Sequence, residues 1–384
     1  MYRGGKGPDL ISVAVDVRKI HDSGIGTYIR QVIPRVILGS TDIHFFLLGR
    51  SNDLRALGWD VISRVTLVDC RSATYSVEEQ FELLFKTPRQ VDLFWSPHYN
   101  IPVFLRKRLL VTVYDVCHLA LPETCGGIHR RLYARLMFGA VRLRARRILT
   151  ISEFSKAELI RLARVPAGQV DMVHLAVDRF WFSAGRPERP HPRPYFLFVG
   201  NVKPNKNIIT LLSAFRSLTG SLPHDLIIVG RKDGFRTNDG RALAAAEELG
   251  DRVAFTGRVS DNVLRDFYFH ADALVFPSLY EGFGLPPLEA MASRCPTIVS
   301  NAASLPEVCG DASLYCDPRD PADLARQMHR LVCDKDLQDG LRNAGMERAS
   351  SFTWDECGDK TNQVLRRVLD LSELDPGISS ERVC

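Results

Sequence analysis

Long apolar runs are missing from this sequence. No stretch approaches the ~20 consecutive apolar residues that a membrane span needs, so any membrane contact is expected to be peripheral. Paired cysteines are missing too. The nine cysteines are odd in number and scattered, with no Cys-x-x-Cys, which argues against a disulfide scaffold or structural zinc and fits a reducing cytosol. Cys384 is the last residue, so it does not open a prenylation box. Residues 1–8 are polar and glycine-rich, and Asp16 breaks the apolar run that follows. That run is too short and too polar for a signal peptide. The absence of Gly-x-x-x-x-Gly-Lys-Ser/Thr and of Gly-x-Ser-x-Gly removes the usual ATPase and hydrolase readings. Finally, no acid occurs from Gly126 to Thr150, where Arg130, Arg131, Arg135, Arg142, Arg144, Arg146 and Arg147 stand. Such a helix suits anionic lipid headgroups; a solvated face near an anionic substrate is the other reading.

What is present is ordinary for a soluble α/β protein. At 384 residues, two domains are expected. Hydrophobic content is 45% and charged content 25%, and a net charge of +5 does not by itself imply nucleic acid. Apolar runs at 10–17, 43–48, 65–68, 91–95, 109–114 and 147–151 read as strands. A tight turn is expected at 22–27 with a helix at 28–38, and Ser152 is placed to cap a helix at 155–162. The proline-rich, polar stretch 183–194 reads as a linker, and the pattern then restarts. Strands are expected at 195–199, 225–229, 253–255, 271–276, 297–300 and 312–315. The helices between and after them fall at 207–218, 241–249, 262–270, 321–333, 335–349 and 352–371. Strands alternating with helices mean parallel, doubly wound sheets. The expected fold is therefore α/β, with two Rossmann-like doubly wound parallel-sheet domains facing a central cleft. Its divisions are 1–185, a linker at 186–194, 195–351, and a final helix and tail at 352–384 that cross back to the first domain.

One stretch carries most of the chemistry: Pro277-Ser278-Leu279-Tyr280-Glu281-Gly282-Phe283-Gly284-Leu285-Pro286-Pro287-Leu288-Glu289-Ala290-Met291. A strand, a glycine turn and a helix opening on proline form an arrangement that receives phosphate on free N–H groups. The carboxylates Glu281 and Glu289 would repel phosphate, so sugar hydroxyls are their natural partners, which suggests a nucleotide-sugar site. Ligands bind outside the carboxyl ends of such strands. Gly24-Ile25-Gly26, His98, residues 115–118, residues 200–206, Gly230-Arg231 and residues 281–289 all fall on that rim. Singly these are weak. Gly24-Ile25-Gly26-Thr27 lacks the third glycine of the dinucleotide fingerprint. Lys206, placed to neutralise a diphosphate, is equally a surface lysine at a helix start. Asp115 and His118 end a buried strand, where a capping Asp and a half-buried His are also ordinary. No metal site is evident. Asp334-Lys335-Asp336 sits between two helices and reads as a cap rather than a metal ligand.

Residues 277–291, with two glutamates eight positions apart, resemble the signature of retaining glycosyltransferases of family 4, of GT-B fold. The likeness extends over nearly the whole chain, through Asp16-Val17-Arg18, Ser23 to Tyr28, Thr112 to Asp115 with His118, Pro122 and Glu123, Val199 to Asn207, Leu305-Pro306-Glu307-Val308 and Phe352-Thr353-Trp354. Overall it is similar to mannosyltransferase-type members. The resemblance implies that Glu281 holds donor-sugar hydroxyls and Glu289 the ribose diol. Backbone N–H groups of Phe283, Gly284 and Leu285 would meet sugar and phosphates beside Gly282, with Gly24 or Ile25 closing from the other domain. Lys206 would stabilise the leaving diphosphate, with Gly200, Asn201 and Lys203 beside it. His118 would lie near the transferred sugar, Asp115, His98 and Tyr99 on the acceptor side, and Arg231, Arg258 and Val259 around the base. The family usually pairs its Lys with an Arg shortly before it; here that place holds Asn201. Implied further are retention without metal or other cofactor, a nucleotide-sugar donor (GDP-mannose), and a saccharide or lipid-linked saccharide acceptor in bacterial lipopolysaccharide or exopolysaccharide assembly. The expected location is the cytoplasm, with peripheral contact at the inner membrane's cytoplasmic face and no nucleic-acid partner. A GT-B-fold UDP-sugar epimerase and a non-catalytic nucleotide-sugar-binding module are the alternatives.

Overall fold

The computed structural model describes residues 11–122, 128–183, 188–231 and 240–371. Glu123, part of the linker and the tail after Leu371 lie outside the described residues. Seven strands form the first sheet: β1 (Ile11–Asp16), β2 (Ile43–Gly49), β3 (Val65–Asp69), β4 (Leu93–Ser96), β5 (Arg108–Val113), β6 (Ala145–Thr150) and β7 (Val170–Met172). Their order is β3-β2-β1-β4-β5-β6-β7, every pairing parallel. Six form the second: β8 (Tyr195–Val199), β9 (Asp225–Val229), β10 (Val253–Gly257), β11 (Ala273–Phe276), β12 (Thr297–Ser300) and β13 (Leu314–Cys316). Their order is β10-β9-β8-β11-β12-β13, again parallel throughout. This is the two-sheet, doubly wound α/β architecture of the GT-B fold. Each order reverses once, between β1 and β4 and between β8 and β11. A crevice opens at such a reversal on the carboxyl side of the strands.

The packing follows from the strand period of two. In β1, Val13 and Val15 face one core while Ala14 faces another across the sheet. The first of these cores continues into the second sheet through Val177, Trp181 and Phe196, so the halves share buried apolar surface. The closing helix, Trp354–Val368, buries Trp354, Val364, Leu365 and Val368. Polar contacts fix it to the first domain: Arg35 to Asp355 at 2.8 Å, Ser40 to Asn362 at 2.8 Å, and Arg366 to Asp42 at 2.9 Å.

The structure departs from the sequence reading in a few places. The expected turn at 22–27 is the first turn of the helix Gly24–Leu38, with Gly26 N–H donating to the Asp22 carbonyl at 3.1 Å. Glycines argue locally for a turn; here they serve proximity, because a Cβ on Gly26 would sit 2.5 Å from the Ile20 carbonyl oxygen. The helices Ser51–Ala56 and Val77–Lys86 and the short strand β7 went unread. Asp334 does cap the helix Lys335–Ser350, accepting from Leu337 N–H at 2.9 Å.

Candidate functional site

The glycine loop after β11 is held by its carbonyls. Asn207 Nδ2 donates to the Pro277 carbonyl at 3.0 Å, Ser300 Oγ to Ser278 at 2.6 Å, and Ser304 Oγ to Glu281 and Phe283 at 3.0 and 2.6 Å. With carbonyls turned inward, the N–H groups of Phe283, Gly284 and Leu285 open the helix Leu285–Ala292 and make no hydrogen bond among the described residues. Gly284 has φ +136°, a backbone that favours glycine. That geometry is an anion-receptive helix start.

Two cations stand beside it. Lys206 Nζ lies 2.7 Å from Glu281 Oε1, both side chains mostly but not fully covered. The Lys203 ammonium lies in the same field. Its pKa is lowered, first by burial and then by the Lys206 charge, while Asp115 and Glu281 pull the other way. Asp115 belongs to the opposite domain, so the cleft closes here. The family's Arg position is occupied differently: Asn201 Oδ1 accepts from Arg231 N–H at 3.3 Å, tying the loop after β8 to the loop after β9. Gly230 allows that approach, since a Cβ there would fall 2.1 Å from the Gly200 carbonyl oxygen.

One turn along the helix, half-buried Glu289 meets the Tyr268 hydroxyl at 3.1 Å. Burial pushes its carboxyl up to about 7, partly offset by the Tyr268 hydrogen bond. Arg231 and Arg258 are exposed, and Val259 packs at the edge of the core. Arg258 also acts across the cleft, its charge lowering the pKa of Arg30 alongside burial.

The opposite wall comes close. A Cβ on Gly282 would lie 2.2 Å from the Tyr114 carbonyl oxygen and 3.0 Å from Asp115 Cβ. The Gly282 carbonyl accepts from Ser152 Oγ at 2.7 Å and Ser155 Oγ at 3.1 Å, at the start of the helix Glu153–Leu162. A Cβ on Gly24 would be 3.9 Å from Leu285 Cδ1, placing Gly24 and its neighbour Ile25 opposite the glycine loop. Asp115 Oδ1 accepts from Cys117 N–H at 2.8 Å, so it caps the short helix Cys117–Ala120 that carries His118. Half-buried His118 stands against the Tyr99 ring, centroids 5.9 Å apart.

His98 is placed deeper, 1% exposed, with Nε2 3.1 Å from Asp16. Asp16 is paired to Arg18 at 2.7 and 2.8 Å, and Arg18 also binds Glu79. Burial alone would raise the Asp16 carboxyl, but Arg18 and His98 outweigh it and hold it far below its ordinary range. Asp16, Glu79 and His98 lie close enough to share a cation. The Arg18 guanidinium already donates to both carboxylates and stands where a cation would sit, so the donor set does not suit a metal.

Sequence reasoning gave no role to Glu307. Its carboxylate accepts from the first two N–H groups of the helix Glu153–Leu162, at 2.8 and 3.0 Å, and contacts His174 Nε2 at 2.8 Å. It thus caps a helix of the opposite domain. Burial would raise this carboxyl, and these hydrogen bonds outweigh it and lower it. Ser152 caps the helix Glu153–Leu162 as its sequence position suggests, but that its hydroxyl and that of Ser155 reach the glycine loop, and that Tyr268 reaches Glu289, only the folded chain reveals.

Fold and cleft together define a nucleotide-sugar-dependent glycosyltransferase of the GT-B class. Residues 180–348 match the family model described as Glycosyl transferases group 1. O-antigen chain mannosyltransferase B of Escherichia coli is 31% identical over 286 residues, covering 70% of this chain and 72% of that protein. O-antigen chain mannosyltransferase RfbU of Salmonella typhimurium is 32% identical over 59% of this chain and 61% of its own length. Among solved structures, HepE of Anabaena in complex with UDP and glucose superposes with a TM-score of 0.74 at 16% identity, over 93% of this chain and 100% of the other. Sucrose-phosphate synthase from Thermosynechococcus elongatus gives 0.72 at 22% identity, over 94% and 99%. These two likenesses concern the fold alone. The chain belongs to the group 1 glycosyltransferases.

Proposed function

We propose that this enzyme transfers mannose from GDP-mannose, with retention and without a metal, to a lipid-linked saccharide in bacterial O-antigen or related surface-polysaccharide assembly. The observation that carries the reading is the Lys206–Glu281 pair with Lys203, set at an open helix start and facing Asp115. As the glycosidic bond breaks, positive charge builds on the anomeric carbon and negative charge on the leaving diphosphate. Fixed cations and aligned N–H groups stabilise that negative charge without reorganising, each such donor contributing about 3–4 kcal/mol. Lys203 supplies the second cation that Asn201 does not. Cationic side chains where the charge develops make a metal unnecessary. Glu281 accepts from sugar hydroxyls, and Glu289 from the ribose diol. Contact between the walls at Gly282 excludes water and so suppresses donor hydrolysis. The O-antigen relatives supply the choice of mannose and of acceptor pathway.

No helix among the described residues is long and apolar enough to cross a membrane. The basic helix Ile128–Arg144 nevertheless exposes Ile128, Leu132 and Leu136, spaced four apart on one face. The helix Val77–Lys86 exposes Val77, Phe81 and Phe85 in the same spacing. The 101–105 segment joins the two helices, through Gln80 to Ile101 and Val103 and through Arg144 to Val103 and Leu105. An apolar face beside arginines suits the surface of an anionic membrane, where a lipid-linked acceptor would be met.

The test is a donor panel, GDP-mannose and UDP- and ADP-sugars, assayed with and without lipid extract. We expect sugar transfer that needs both GDP-mannose and extract, and a drop on the order of 10²–10³-fold in kcat for Lys206→Ala. Nucleotide release without acceptor incorporation would indicate an epimerase, and binding without turnover a non-catalytic module. Full transfer by Lys206→Ala and Glu281→Ala would overturn the site.

A further inference from the structure

Beside the cleft, on the first domain, stand three tyrosines whose placement the donor chemistry does not require. Tyr75 is 47% exposed and has φ +67°. A bulky non-glycine residue rarely adopts that backbone, and such outliers collect at binding sites, where the surroundings hold them. What holds Tyr75 is Glu79: its Oε2 accepts from Tyr75 N–H at 2.7 Å and from Asn100 Nδ2 at 2.6 Å. Asn100 Oδ1 in turn accepts from the Tyr133 hydroxyl. The Tyr75 ring lies 6.2 Å from both Tyr99 and Tyr133, with the Lys19 ammonium 4.6 Å over its face. Tyr99 stacks on Phe138, centroids 4.9 Å apart, and reaches His118 at 5.9 Å. The buried Asp16–Arg18–Glu79–Asn100 network therefore has a product at the surface. It fixes an aromatic cluster that runs from His118, at the cleft, outward to Tyr75.

We propose that Tyr75 and Tyr99 form the platform on which the acceptor saccharide lies, with Tyr75 as the outer, specificity-determining face. This rests on the glycosyltransferase reading of the cleft and adds Tyr75 to the acceptor side, where the family resemblance places Tyr99 alone of the three tyrosines. The apolar C–H face of a pyranose covers an aromatic ring with burial of apolar surface, while its hydroxyls remain free for polar neighbours. Asp115 and His118 supply them on the inner side, while the buried Lys19 ammonium, paired with Asp22 at 3.0 Å, braces one face of the Tyr75 ring. Continuity with the cleft argues for a saccharide, since the sugar to be extended must reach the transferred carbon from this wall. Tyr75 acts by binding and touches no reacting atom.

The test uses the full-length chain, GDP, and a panel of octyl glycosides of manno, gluco and galacto configuration, read by saturation-transfer NMR. Wild type is expected to bind at least one of these glycosides. Tyr75→Ala is expected to weaken that binding roughly tenfold while leaving GDP affinity and melting temperature unchanged. Tyr75→Phe, which keeps the ring, should bind like wild type. Tyr75→Gly relieves the left-handed backbone; it should match the Ala variant in binding while melting no lower than wild type. Equal saccharide affinity in wild type and Tyr75→Ala would overturn the platform, as would a wild type that binds GDP but none of the glycosides. Binding of a glycoside through Tyr75 without binding of GDP would leave the platform standing and overturn the donor assignment instead.

Discussion

Glu289 shows how a single residue joins fold to chemistry. Its carboxyl, raised to about 7 by burial, is only part ionised near neutrality. A ribose diol donates two hydrogen bonds, which the ionised form accepts best. GDP affinity of the free enzyme is therefore expected to rise roughly tenfold between pH 6 and pH 8. Titration calorimetry on wild type and Glu289→Gln checks this; the Gln variant should bind weakly at both pH values, with no slope. The stability effect has the opposite sense. A carboxyl raised in the folded state favours folding at low pH, and that contribution fades as pH rises from its ordinary 4.5 through about 7. Glu289→Gln should thus melt higher than wild type at pH 8, with the difference vanishing below pH 5. That Glu281 and Glu289 stand on either side of one glycine turn was legible from their spacing. That Tyr268 and burial set the charge of one of them was not, because residue 268 reaches it only through the packing of neighbouring helices.

Among the elements, the sequence marked best those whose local pattern and tertiary role agree. Strands β8, β9 and β12 and the helix Pro321–Cys333 lie where their apolar patterns place them. The helix Gly24–Leu38 shows the opposite case. Two glycines argue against a helix start, and close approach to the Ile20 carbonyl overrides them. The two considerations give opposite signs for Gly26→Ala. Propensity alone makes Ala better by about 1 kcal/mol, whereas overpacking against backbone costs about 1–3 kcal/mol. Denaturant unfolding should show a net loss of stability. A gain would mean that this turn has room. The helix Val77–Lys86 was unread for another reason: its exposed face carries Val77, Phe81 and Phe85, so its apolar residues do not trace one buried stripe.

For the whole molecule, the arrangement is a closed cleft, and contacts between domains hold it. Gly282 against Tyr114, and Glu307 on the helix Glu153–Leu162, join residues over a hundred positions apart. No single-sequence pattern exposes such pairs, although Glu307 stood in a segment that resembled the family's. Removing the carboxylate frees the helix start and His174 without touching either core. Glu307→Ala is expected to keep its secondary structure while its radius of gyration in solution scattering increases; an unchanged radius would mean that Gly282 and the shared apolar core suffice. The Glu307 contacts also predict a pH window. Its carboxyl is lowered on folding, so the clamp holds above the ordinary glutamate range and is lost only as pH falls below it.

We propose that this cleft receives a nucleotide sugar with its diphosphate at the glycine-loop helix and its ribose at Glu289. A thermal-shift screen against GDP, UDP, ADP and their sugar conjugates, run on wild type and Glu289→Gln, tests it most directly. We expect GDP and GDP-mannose to raise the melting temperature of wild type, with the shift largely lost in Glu289→Gln. If no nucleotide shifts wild type, or if the shift survives intact in Glu289→Gln, the assignment of the cleft is wrong.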